Sequence, residues 1–160
     1  MLVPFDEMPA SARIWIYQSD RTLSETDIET INSNSLEFLN QWAAHGNPLK
    51  SAFKLFHEKF LVISVDEQFN QASGCSIDAS VSLVRQLESE LNINFFDRTR
   101  ISFIADGKVF DSPMSDLKEL IDKGTITEET MTFNNLVQNL GELHSKWTIP
   151  VQESWLKRYF

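Results

Sequence analysis

Cysteine is almost absent from this chain: Cys75 is the single one in 160 residues. One thiol excludes an intramolecular disulfide and a structural zinc site built on several thiolates, and it fits a reducing compartment. Glycine is sparse too, with five residues, at 46, 74, 107, 124 and 141. They do not compose the loop ending in Gly-Lys-Ser/Thr whose backbone N–H groups cradle nucleotide phosphates. Gly107-Lys108 supplies the dipeptide, but Ser102 stands where the first glycine belongs and Val109 where the hydroxyl belongs. ATP hydrolysis is therefore not expected. No apolar run approaches the roughly 20 residues of a membrane span, and the start, Met1-Leu2-Val3-Pro4-Phe5-Asp6-Glu7, has neither the basic opening nor the apolar stretch of a signal peptide. A cytoplasmic protein without a membrane partner is expected.

Positive charge is also in short supply. Fourteen Lys and Arg stand against 23 Asp and Glu, a formal charge of −9. Nucleic-acid affinity is mostly phosphate neutralisation by clustered cations. The densest basic group here, Arg98, Arg100 and Lys108, is diluted by Asp97, Asp106 and Asp111. A nucleic-acid partner is excluded on that ground, which leaves a small molecule, another protein or a second copy of the chain.

What is present is an ordinary globular composition, 42% hydrophobic with twelve Phe and four Trp, at the size of a single domain spanning residues 1–160. Ile14 and Ile16 alternate with Arg13, Trp15 and Tyr17 in a strand. Ser24 and Asp27 open a helix with the stripe Ile28, Ile31, Phe38, Trp42, which ends at Gly46 and Pro48. Residues 51–67 read as a hairpin turning at Glu58-Lys59, and a polar loop follows from Gln68. Ile77, Val81, Val84, Leu87 and Leu91 then recur at helical spacing, with Ser76 as the expected N-cap. Ile101 to Ile104 is a strand, Asp106-Gly107 a turn, and Lys108 to Phe110 its partner. Ser112-Pro113 is expected to start a further helix through Asp122. The order predicts an α+β fold: a ferredoxin-like β-α-β-β-α-β core over 12–104 with an antiparallel sheet, then an extra hairpin strand and a C-terminal helical extension over 105–160. Trp147, Trp155, Tyr159 and Phe160 are expected to dock that extension on the sheet, or on a second subunit.

The stretch with the most chemistry is Asn70-Gln71-Ala72-Ser73-Gly74-Cys75-Ser76-Ile77-Asp78. A helix start offers unpaired N–H groups and a positive dipole end, which favour an anion and lower a thiol pKa. Asn70, Gln71, Ser73, Gly74, Ser76 and Asp78 are the candidate ligand-binding residues, and Cys75 the candidate nucleophile. A base for Cys75 would have to come from His45, His57 or His144, and the expected topology does not bring His45 or His57 near it. The ordinary reading of Cys75 is a small buried residue, and of the serines a set of caps. Val65-Asp66-Glu67 after an apolar strand resembles the strand that holds Mg²⁺ in P-loop proteins, yet the loop such a site requires is absent, and no metal or cofactor is expected. The amides of Thr132 to Asn139 read either as contacts to a polar ligand or as partners for buried backbone, the commoner use.

Ala12 to Gln18, Gln41 to Gly46, Ser73 to Ser80, Asn94 to Thr99, Phe133 to Asn139 and the ending Ser154 to Phe160 together resemble a family of uncharacterised bacterial proteins of about 160 residues, often labelled "ABC transporter ATPase". The resemblance spans nearly the whole chain and implies no site residues. Three functions remain open: binding of a small ligand or a partner at the Gln68 to Ser80 loop, which is preferred; thiol-dependent catalysis by Cys75; and subunit interaction through the aromatic C-terminus. The balance leans away from an enzyme.

Overall fold

Alternating apolar residues in β1 (Arg13–Gln18) place Trp15 and Tyr17 on one face and Ile14 and Ile16 on the other. The computed structural model describes every residue from Met1 to Phe160. After β1 comes α1 (Glu25–Gln41), started by a full capping box: the Ser24 hydroxyl accepts from the Asp27 N–H and the Asp27 carboxylate accepts from the Ser24 N–H. Its buried line is Asp27, Ile31, Ser35 and Leu39, four residues apart. The two-residue strands β2 (Ala43–Ala44) and β3 (Asn47–Pro48) form a miniature hairpin across His45 and Gly46, both at positive φ. β4 (Ser51–Phe56) and β5 (Phe60–Val65) then form the expected hairpin. The residues with positive φ in its turn are His57 and Glu58, one position earlier than Glu58-Lys59. α2 (Gly74–Leu91) closes this part and ends on Asn92 in the left-handed conformation.

The fold is α+β, as the element order requires. The first sheet has the strand order β1-β5-β4, antiparallel throughout, so β1 and β4 run parallel on either side of β5. All six residues of β5 are buried, which explains why Phe60 to Val65 reads as a continuous apolar run rather than an alternation. Leu61, Ile63, Val65 and Tyr17 join Ile31 and Leu39 of α1 and Leu83, Val84 and Leu87 of α2 in one core.

Residues Arg100–Ala105 (β6) differ from the ferredoxin-like expectation. They do not complete the first sheet beside β1. β6 pairs instead with β7 (Lys108–Pro113) and β8 (Met131–Phe133), and β9 (Thr148–Pro150) adds beyond β8, giving a second sheet of order β7-β6-β8-β9. The edge of β1 is met by the Arg13–Asn139 bridge and by the Ile14 N–H donating to the Gln138 carbonyl at 3.1 Å. Alternation in Ile101 and Phe103 tells which residues face a core but not which sheet the strand joins. The tight Asp106-Gly107 turn, with both residues at positive φ, commits β6 to β7 locally.

The chain forms two compact units: Met1–Phe96 with Gln138–Gly141, and Asp97–Val137 with Glu142–Phe160. In the second unit Ser112 and Pro113 end β7, and the helix expected from them begins later, as α3 (Leu117–Asp122). α4 (Leu140–Lys146) follows β8. Ile101, Phe103, Leu117, Ile126, Val151 and Leu156 make this unit's core. The C-terminal segment thus docks within its own unit, through Val151 and Leu156. Of its aromatics only Trp147 is buried, whereas Trp155, Tyr159 and Phe160 are exposed.

Candidate functional site

The loop between β5 and α2 begins at Asp66, which is buried, lies 3.6 Å from Lys50 and accepts from the Gln68 N–H at 3.1 Å. Its carboxylate stabilises a turn. The Asn70 amide donates to the carbonyls of Asn47 and Pro48 at 3.1 and 3.3 Å, tying the loop to β3. Glu67 accepts from the Ala72 N–H at 3.1 Å, so a carboxylate of the chain itself already stands at the entry to α2. The N-cap is Ser73, three residues before the expected Ser76. Ser73 Oγ accepts from the Ser76 N–H at 3.1 Å, and Ser76 Oγ accepts from the Ser73 N–H at 2.8 Å. Two serines three apart fit either frame by sequence, and the upstream one wins because it forms both halves of the capping box. Trp42 Nε1 donates to the Ser76 carbonyl at 2.8 Å and fixes the helix start against the end of α1.

Of the seven candidates, then, Asn70, Ser73 and Ser76 are engaged in holding the loop together. Gln71, Gly74, Cys75 and Asp78 are exposed. Cys75 lies inside the first turn of α2, not just outside it, and it is exposed rather than packed. Its sulfur makes no hydrogen bond to His45, His57 or His144. Among the amides of 132–139, Asn134 Oδ1 accepts from the Leu136 N–H at 3.2 Å and Asn135 Oδ1 from Trp147 Nε1 at 2.9 Å, and Thr132 Oγ1 donates to the buried Ser102 carbonyl at 2.9 Å. These groups serve the second unit's own structure.

A different feature lies on the first unit. β4 is an edge strand, with β5 on one side only. The Ser51 N–H donates to the Met1 carbonyl at 3.0 Å and the Ser51 carbonyl accepts from the Val3 N–H at 2.9 Å, so Ser51 turns both backbone groups away from β5. Backbone direction alternates along a strand, and Phe53 and Leu55 therefore also face outward. Neither finds a partner in the chain. The N-terminal segment reaches only the first rung, running parallel to β4 at Leu2 and Ser51. Pro4 then turns it into the 3-10 helix Phe5–Glu7, a residue that cannot donate to a ladder.

Beside that open edge runs a groove of about 480 Å³, lined by Ile28 and Asn32 of α1, Phe53, Lys54 and Leu55 of β4, and Glu58 of the turn. Phe53, Leu55 and Ile28 are half-buried against the core, leaving an apolar floor. Lys54 lies on the other face of the strand, where its ammonium is 3.9 Å from Asp6 and over the rings of Phe5 and Phe56 at 5.9 and 5.3 Å. Burial lowers the His57 pKa from its ordinary value, which favours the neutral ring beside Glu58. Side-chain patterning did not locate this groove. A single lysine among the apolar residues that follow Ser51 in β4 was the available signal, since natural sheets place lysine on edges to discourage pairing.

No family model matches the chain, and no curated protein or solved structure matches it. Its functional reading therefore rests on the geometry above.

Proposed function

We propose that this chain is a protein-binding domain that takes an extended segment of a partner as an added strand on the outer edge of β4. One observation carries the reading: the paired, unengaged N–H and C=O groups of Phe53 and Leu55 stand directly over an apolar groove. Main-chain bonds of this kind give affinity to strand addition, while pockets for alternate side chains give selectivity. Four such bonds, each worth about 0.5–1.5 kcal/mol net, add to apolar contact with Ile28 and Leu55. An open groove suits an extended chain better than a small molecule, which usually needs most of its surface enclosed.

Leu55→Pro is the direct test. Proline is tolerated where a strand N–H points outward, so the variant keeps the β4–β5 ladder while removing one donor and filling its place. Fluorescence anisotropy with a labelled peptide of alternating valine and threonine reads the outcome. Binding by the native chain and a loss of about tenfold or more in the variant supports the proposal; unchanged binding, with circular dichroism showing both proteins folded, ends it.

A second reading, assembly of two copies through the C-terminus, draws on Trp155, Tyr159 and Phe160, exposed by 51%, 39% and 44%. Trp155 and Tyr159 meet edge to face at 6.1 Å, and Arg158 lies over Tyr159 at 5.2 Å, the residue types that dominate interface energetics. Light scattering decides it: a monomeric full-length chain removes this reading.

A further inference from the structure

We infer that the segment accepted by β4 is cationic at one end, the end that lies beside Glu58 and the start of α1, and uncharged and apolar at the other. The inference rests on the strand-addition reading and names its partner's chemistry. Because β1 and β4 are parallel and α1 connects them, α1 runs back along β4 in the opposite direction, with its N-terminus at the far end of the strand. The Leu23 N–H donating to the Glu58 carbonyl at 2.8 Å places the two together. α1 carries Glu25, Asp27, Glu29 and Glu37 and no basic residue. Asp27 is neutralised by Arg21, but Glu25, Glu29 and Glu58 are exposed and belong to no ion pair. Glu25, Ile28, Glu29 and Asn32 recur at spacings of three and four, so the two glutamates rim the same helix face that lines the groove. One turn further, Leu36 is exposed by 50%. The groove is thus acidic at its Glu58 end, and Leu36 continues the same helix face beyond Asn32 with an exposed apolar side chain.

A second copy of the chain is disfavoured at this edge. The two-fold register that engages the outward groups of both Phe53 and Leu55 pairs Phe53 with Leu55 and sets Lys54 directly opposite Lys54, and like charges opposite each other destabilise a strand pair. Each copy also carries a formal charge of −9. The occupant is therefore another chain, extended, with alternating apolar residues directed at Ile28, Phe53 and Leu55 and a Lys or Arg reaching the Glu25, Glu29 and Glu58 carboxylates.

Four labelled peptides of roughly six residues, the length of an ordinary strand, test this with the full chain: one of alternating valine and threonine, two with a pair of lysines at either end, and one with a pair of glutamates. One lysine peptide is expected to bind about tenfold tighter than the glutamate peptide, with the difference collapsing in about 0.5 M salt. The Glu29→Gln, Glu58→Gln double variant should erase the lysine preference and leave the valine-threonine peptide unaffected. Glu128→Gln with Glu129→Gln, the same change in net charge on exposed residues of the second unit, should leave the preference intact. Equal binding of all four peptides, tighter binding of the glutamate peptide, or a preference that survives Glu29→Gln, Glu58→Gln overturns the inference while strand addition stands. If no peptide binds, or if Leu55→Pro binds all of them as the native chain does, strand addition itself fails and the inference falls with it.

Discussion

The loop from Asp66 to Ser80 and the edge of β4 lie on the same unit and invert one another. The loop is crowded with the residue types that usually signal chemistry, and most of its hydrogen-bonding capacity is already engaged: Asn70 with β3, Glu67 with Ala72, Ser73 with Ser76. The edge shows only phenylalanine, leucine and one lysine, yet its main chain keeps outward N–H and C=O groups over an apolar floor. Availability for binding depends on which polar groups lack partners, not on how many a segment contains.

The sharpest way to break the comparison is to disable each region in turn. Leu55→Pro should cost about tenfold or more in peptide binding, equivalent to about 1.4 kcal/mol or more. Gln71→Ala with Asp78→Ala, two of the loop's exposed polar side chains, should leave binding within about twofold, since surface changes of this kind stay within about 0.5 kcal/mol. A loop variant that abolishes binding while β4 variants do not would reverse the assignment.

Acid offers a second separation. The Arg21 guanidinium, hydrogen-bonded to Asp27, holds that carboxyl at about 2 against an ordinary 3.8, helped by the Ser24 N–H and hydroxyl. A depressed folded-state value means a stabilising contribution fully present above pH about 4 and lost as pH falls toward about 2. Urea melts across that window should show the native chain losing stability and Arg21→Ala losing less of it. Equal slopes would show that Arg21 does not set the Asp27 value. Since α1 walls the groove, binding of the uncharged valine-threonine peptide should fail over the same acid range only as the helix start loosens.

How much of this was legible follows from the same distinction. Ser24 and Asp27, the Ile77 to Leu91 period and the Asp106-Gly107 turn are local patterns, and each appears where the sequence puts it; α1 instead stops at Gln41, short of the expected Gly46, because residues 43–48 pair as a small hairpin, and its buried line shares only Ile31 with the expected stripe. The choice of Ser73 over Ser76 was degenerate because both halves of a capping box here are serines. The partner of Ile101 to Ile104 was not legible, because alternation fixes a face and leaves the sheet open. The groove was hidden for a further reason: that β4 is an edge is a property of strand order, and its unpartnered atoms are backbone that every residue carries.

The loop's own prediction is of intermediate size. Ser73→Ala removes the N-cap acceptor of α2 and leaves the Ser76 N–H without it, at a cost of about 1 kcal/mol in chemical denaturation, with peptide binding unchanged. Loss of binding alongside that destabilisation would mean that the loop and the groove are coupled through the core they share.

The smallest effect belongs to Cys75. Its side chain is exposed in the first turn of α2 and makes no hydrogen bond, so Cys75→Ser should change stability by less than about 0.5 kcal/mol and leave peptide binding as it was. Exposure alone predicts that iodoacetamide modifies the native chain at Cys75 without denaturant. Modification that weakens peptide binding would bring the α2 start into the recognition surface. If the modified chain binds as before, the thiol lies outside it, and the contrast between an occupied loop and an open strand edge holds even at the loop's most reactive side chain.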